Sequence, residues 1–284
     1  MGVEIGGGDF PFRVGVFQRL RCNAWVLVHF LLGELPEAEL LELSPTAMRL
    51  ELAAGRVDLA LLPSAELLRL PDCKIVSDCC IACAGEVRSV RLISKKPIEK
   101  ICTLALDESS RSSVLMCEIL LLHYFGLRPA RNYFNANINT DFGEVNLADN
   151  CGADAFVIIG NKALSYNPPP DWIYQYDLGK LWFEKTGLPF VFATWASCNK
   201  AVWANDKYIH ACQQARNHAT NNIEKLLNEK YNEYPNFDLK RNLVKSYLTK
   251  SITYNLTNNE RAGLQLFFDL ALKYGFAESK MIIS

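Results

Sequence analysis

The chain has 284 residues, room for two domains at roughly 150 residues each. Half of it is hydrophobic and 21% is charged, with 30 basic against 31 acidic residues. That balance excludes a mainly disordered chain and a general nucleic-acid or anionic-membrane binder, and no apolar run reaches the ~18 residues that span a bilayer. In chain order, RVGVF (13–17) predicts a strand, Ala24 to Leu32 a buried helix and Glu39 to Leu43 a second strand. Ser44-Pro45 then opens a helix that Gly55 stops. Val57 to Leu62 is an apolar strand, followed after Pro63-Ser64 by a short helix to Leu68. Such β-α-β-α alternation predicts a mostly parallel sheet covered by helices.

Ser89–Ile93 and Ile101–Leu106 give two further strands, joined by the polar segment Ser94-Lys95-Lys96-Pro97, where the first domain crossing is expected. A helix over 109–125 ends at Gly126, Asp154–Ile159 is a short strand, and Leu178–Lys185 is a helix. The apolar run Leu188–Ala196 is the expected return crossing, and the rest is helical near 206–232, 238–250 and 257–274. Two crossings make two lobes: residues 1–95 with 190–284, and residues 96–189. Ligands of such proteins bind at the carboxyl ends of strands, often between lobes. The loops after the strands, 18–23, 63–64, 107–113 and 160–161, are therefore the places to look.

The N-terminal MGVEIGGGDFPF has neither the basic start nor the apolar core of a secretory signal, so a cytoplasmic protein is expected. Its GGGD precedes the first strand instead of following one, which argues against a nucleotide loop. In that compartment all ten cysteines are expected as reduced thiols. Cys73, Cys79, Cys80 and Cys83 cluster on an apolar run that contains one C-x-x-C spacing, and they read as buried structural residues, not a metal site. His29, His123, His210 and His218 form no metal or nucleophile motif. The segment DESSRSSV (107–114) carries the most chemistry. It follows a strand and opens a helix, so serine hydroxyls, free amides and Arg111 converge where a carboxylate could sit. An ordinary serine-rich helix cap is the competing reading.

Taken in order, RVG…Asn-Ala, GRVDLALLPSAEL, GEVRSVRLIS, DESSRSSV, ADAFVIIGNKAL, YDLGKLWFEKTGLPFVFATWA and the closing ITYNLTNNERAGLQLFFDLALKYGF resemble the chorismate dehydratases of the futalosine route to menaquinone. The resemblance implies an α/β, two-lobed fold of the type II periplasmic-binding-protein kind with two interlobe crossovers. It implies conversion of chorismate to 3-[(1-carboxyvinyl)oxy]benzoate, with no metal or cofactor, a small dicarboxylate as partner, and neither nucleic acid nor membrane. The family's N-terminal asparagine falls on Asn23 and its strand-leading serine on Ser89, the two expected catalytic contacts. Its Ser-Arg-Thr-Ser element falls on Ser110, Arg111, Ser112 and Ser113, with serine at 112 in place of threonine, and these residues join Ser64, Gly160 and Asn161 as expected substrate contacts. The chain departs from the pattern in a longer loop before Asn23, and in Asn161 where aspartate is usual. Dihydroxynaphthoate synthase of the same pathway is the in-class alternative, and its Cys-Pro-Asn-Asp-like loop is matched only in part by Arg21-Cys22-Asn23-Ala24. A non-catalytic carboxylate-binding protein and, third, a regulator's effector domain are the alternatives from other classes.

Overall fold

The computed structural model describes residues 12–17, 22–107, 111–134, 152–235 and 237–277. The chain begins with β1 (Phe12–Phe17), α1 (Cys22–Val28), the single turn α2 (Leu31–Glu34), β2 (Ala38–Leu43) and α3 (Pro45–Ala53). Ser44 caps α3 by accepting from the Ala47 amide, and Gly55 takes φ +68°, which lets the chain turn out of the helix cheaply. Next come β3 (Leu59–Pro63), the single turn α4 (Ser64–Leu67) and the long β4 (Lys74–Cys83). β3 is buried along its whole length, as expected for a strand covered on both faces.

The second lobe holds β5 (Val90–Ser94), β6 (Thr103–Asp107), α5 (Arg111–Phe125), β7 (Ala130–Phe134), β8 (Ala155–Ile159), α6 (Gly160–Ser165), β9 (Tyr174–Asp177) and α7 (Leu178–Thr186). The chain then returns through β10 (Phe190–Ser197) and the helices α8 (Lys200–Trp203), α9 (Asp206–Asn221), α10 (Ile223–Glu233) and α11 (Arg241–Ser246). A π-helical turn at Tyr247–Ser251, the short strand β11 (Thr253–Asn255) and α12 (Asn258–Lys273) complete it. One sheet runs β11-β4-β10-β3-β1-β2 and the other β7-β6-β8-β5-β9.

Three expectations change. The sheets are mixed and not mostly parallel: β1 pairs parallel with β2 and β3, whereas β10 runs antiparallel to both β3 and β4. A strand that brings the chain back from the second lobe enters the first sheet from the opposite end, so it runs against its neighbours. Val90–Ser94 hydrogen-bonds to β8 and β9, so the outgoing crossing lies at 84–89 and not at the polar segment after Ser94. The apolar content of β5 marks a strand but carries no information about which sheet receives it. Cys73 and Cys198 form a disulfide with Cα atoms 4.0 Å apart, so the expectation of ten reduced thiols fails for this pair. Both lie at the end of the first sheet where the adjacent strands β4 and β10 pair Lys74 with Ser197, and strand register alone makes them neighbours.

The other cysteines of the apolar cluster behave as expected. Cys79, Cys80 and Cys83 are free and fully buried, and burial pushes the Cys79 thiol up to about 12. At that value the thiol stays protonated and acts as a small apolar side chain.

Candidate active site

The site is built where the outgoing crossing meets the second lobe. Arg88, at φ +65°, is the one non-glycine with positive φ among the described residues. This conformation costs about 1–2 kcal/mol, and it immediately precedes Ser89. It is held by Asp177, the N-cap of α7, which accepts from the Arg88 amide at 2.5 Å, the Val87 amide at 3.0 Å and the Lys180 amide at 2.9 Å. Burial raises the Asp177 carboxyl above its ordinary range, while these three amides pull it back down. Gly179 brings α7 close: a Cβ there would lie 2.7 Å from Cys83 Sγ and 2.8 Å from the Gly85 carbonyl. The strained turn is thus clamped from one side, and it fixes the direction in which Ser89 points.

We expect Asp177→Asn to remove this clamp, because an amide side chain offers one acceptor oxygen where three amides now bond. The expected results are a loss of about 2 kcal/mol in denaturant unfolding and a fall in turnover beyond what the stability loss explains. Wild-type turnover in the variant would separate the clamp from the site.

Ser89 is 3% exposed and tied at both ends. Its carbonyl accepts from the Gly160 amide at 2.7 Å, and its hydroxyl accepts from the Tyr247 hydroxyl at 2.8 Å. Gly160 takes φ +67°, a conformation that glycine adopts without strain and that turns β8 into α6. The next residue, Asn161, reaches across to the first lobe, where its Oδ1 accepts from the Cys22 amide at 3.4 Å and the Cys22 thiol at 3.1 Å. Beside Cys22 stands Asn23, whose side-chain oxygen is buried with no hydrogen-bond partner among the described residues. A continuous path of contacts therefore runs from Tyr247 through Ser89, Gly160 and Asn161 to Cys22 and Asn23. The residues expected from the sequence at 23, 89, 160 and 161 come together.

The serine-rich helix start makes a second, separate junction. Ser112 accepts from the Ala65 amide at 3.1 Å and donates to the Phe192 carbonyl at 3.0 Å, while Ser64 donates to the Val191 carbonyl at 2.7 Å. The hydroxyl protons of Ser64 and Ser112 are therefore committed to backbone, and the Ser112 bonds fasten the second lobe to the first. Arg111 is 44% exposed and lies 3.6 Å from Glu66, a carboxylate that is 1% exposed and that Arg49 also holds at 2.8 Å. Ser113 is buried on the same first turn, and Ser110 lies outside the described residues. The sequence gives no local sign of Tyr247 or Glu66. Asp177 could have been suspected from its place directly before the predicted Gly-containing helix.

Residues 13–273 match the family model described as menaquinone biosynthesis. The chain belongs to that family. Among its relatives, the chorismate dehydratase of Thermus thermophilus is 26% identical over 262 residues, covering 90% of this chain and 94% of that protein. Solved structures with the same fold include a protein from Archaeoglobus fulgidus (TM-score 0.69, 15% identity, 93% of this chain and 97% of that one). Another is the periplasmic aliphatic sulphonate binding protein of Escherichia coli (TM-score 0.61, 16% identity, 96% and 90%). The two-lobed fold of this menaquinone-biosynthesis family member is thus that of periplasmic binding proteins. Among the described residues, no helix of this family member is long and apolar enough to cross a membrane.

Proposed function

We propose that this protein is a cytoplasmic chorismate dehydratase, a hydro-lyase that converts chorismate to 3-[(1-carboxyvinyl)oxy]benzoate and water. The observation that carries the reading is the buried oxygen of Asn23, unpartnered among the described residues, next to the bonded pair Asn161–Cys22 that links the helix of Asn23 to the loop holding Ser89. A buried acceptor without a partner costs about 1–3 kcal/mol, and a ligand that donates to it recovers that loss on binding. The ring hydroxyl of chorismate is such a donor. In the reaction the proton leaves the ring carbon that bears the enolpyruvyl ether, and hydroxide leaves the neighbouring carbon. Aromatisation of the ring supplies the driving force. The hydroxyl of Ser89 and the side-chain N–H of Asn23, both donors, stabilise the negative charge that grows on the departing oxygen, and Arg111 supplies positive charge for a carboxylate.

The chain's own nearby carboxylates are poorly placed as the base. Two guanidiniums engage Glu66 and three amides engage Asp177. We therefore assign the proton to a carboxylate of the substrate. Ser64, Ser112 and the Gly160 amide support the site by fastening backbone. Purified protein incubated with chorismate should yield an aromatic product lighter by one water, detected by chromatography and mass. Ligand-induced stabilisation without turnover would instead favour a non-catalytic carboxylate binder.

A further inference from the structure

We infer that Tyr247 is a positioning residue for Ser89: its phenol donates to the Ser89 hydroxyl and thereby turns the serine proton toward the reacting oxygen. The inference rests on the dehydratase reading above. Tyr247 is 1% exposed and begins the π-helical turn Tyr247–Ser251, far in sequence from every other residue of the site. Single π turns replace the regular helical spacing with a wider one and are frequent at functional sites. Here the turn packs against α1, the helix that carries Asn23. One short segment thus packs on the helix that carries Asn23 and hydrogen-bonds to Ser89.

A serine hydroxyl has one proton and two lone pairs, and its rotation is otherwise free. A phenol is the more acidic partner of the two, so it is the better donor at the 2.8 Å contact. With one lone pair of Ser89 filled by that proton, the serine O–H must point elsewhere. The carbonyl of the same residue is anchored on Gly160, so the side chain cannot swing away with the backbone. Donation into the serine oxygen also polarises its own O–H, which makes Ser89 the stronger donor to a developing hydroxide. A second phenol follows on β11: Tyr254 is buried, its hydroxyl has no partner among the described residues, and burial together with Tyr247, Cys22 and Cys80 raises it well above the ordinary tyrosine range. The Tyr254 phenol therefore remains a protonated donor in the neutral range.

The test is a double-mutant cycle of Tyr247→Phe and Ser89→Ala with chorismate as substrate. Tyr247→Phe keeps the buried ring, and the expected result is a fall in kcat of about tenfold with KM within twofold and Tm within about two degrees. In the Ser89→Ala background the same substitution should change kcat less than twofold, since there is no hydroxyl left to orient. Unchanged kcat in Tyr247→Phe, or an equal loss in both backgrounds, would overturn the inference and leave Tyr247 a packing residue. If the wild-type protein does not turn over chorismate, the dehydratase reading fails by itself. The same cycle is then read on the calorimetric Kd of 3-[(1-carboxyvinyl)oxy]benzoate, where coupling between the two sites retains the positioning role and additivity or absence of binding rejects it.

Discussion

Asn23→Ala should reduce kcat/KM for chorismate by at least a hundredfold while leaving the melting temperature unchanged or slightly raised. The two halves of that expectation have one cause. Among the described residues the buried Asn23 side-chain oxygen has no partner, so truncation removes an unsatisfied acceptor and costs the fold little. In the transition state the N–H of the same amide donates to the oxygen on which charge develops, and deleting one such donor typically costs about 3 kcal/mol, two orders of magnitude in rate. A residue kept at the expense of stability is best explained by what it does to a ligand. Paired measurements of steady-state kinetics and thermal unfolding check this. Near wild-type rates would remove Asn23 from the site, and a large fall in melting temperature would mark it as structural.

The largest stability effect is expected at a glycine. In the middle of α12, Gly263→Ala would ordinarily stabilise a helix by about 1 kcal/mol. Here a Cβ would stand 2.0 Å from the Pro189 carbonyl oxygen and 3.1 Å from its carbon, both backbone atoms that have no flexible end to yield. The helix or the return crossing must shift, and the expected outcome is a loss of about 3 kcal/mol, seen as a lower denaturant midpoint with an unchanged slope. The site should suffer as well. Pro189 leads directly into Val191 and Phe192, whose carbonyls hold the Ser64 and Ser112 hydroxyls at the junction of the lobes. A stabilised Gly263→Ala variant would show that α12 is not seated on the return crossing.

Much of the fold is legible in local signals. The buried run of β3 stands out because a strand covered on both faces must be apolar throughout. The start and stop of α3 follow from Ser44-Pro45 and Gly55, and the two-lobed plan from the order of motifs along the chain. Short strands were missed. Tyr174–Asp177 and Thr253–Asn255 lie at sheet edges, where neither their length nor their pattern distinguishes them from loops.

Of the site, the sequence determined which residue types are present and, through the family resemblance, pointed to Asn23, Ser89, Gly160 and Asn161 as expected contacts. Only the tertiary structure decided how each of them is bonded and what surrounds it. Hydrogen-bond partners are set by atoms distant in the chain, and Ser64, Ser112 and Ser89 are indistinguishable as serines until their partners are known. The first two give their protons to backbone carbonyls, whereas Ser89 receives a proton from Tyr247, a residue 158 positions away that carries no local mark of its role. The same holds for the Cys73–Cys198 bond and for the crossing at 84–89: composition fixes that the segments are buried, but strand register and sheet membership, which are long-range pairings, fix what they are buried against.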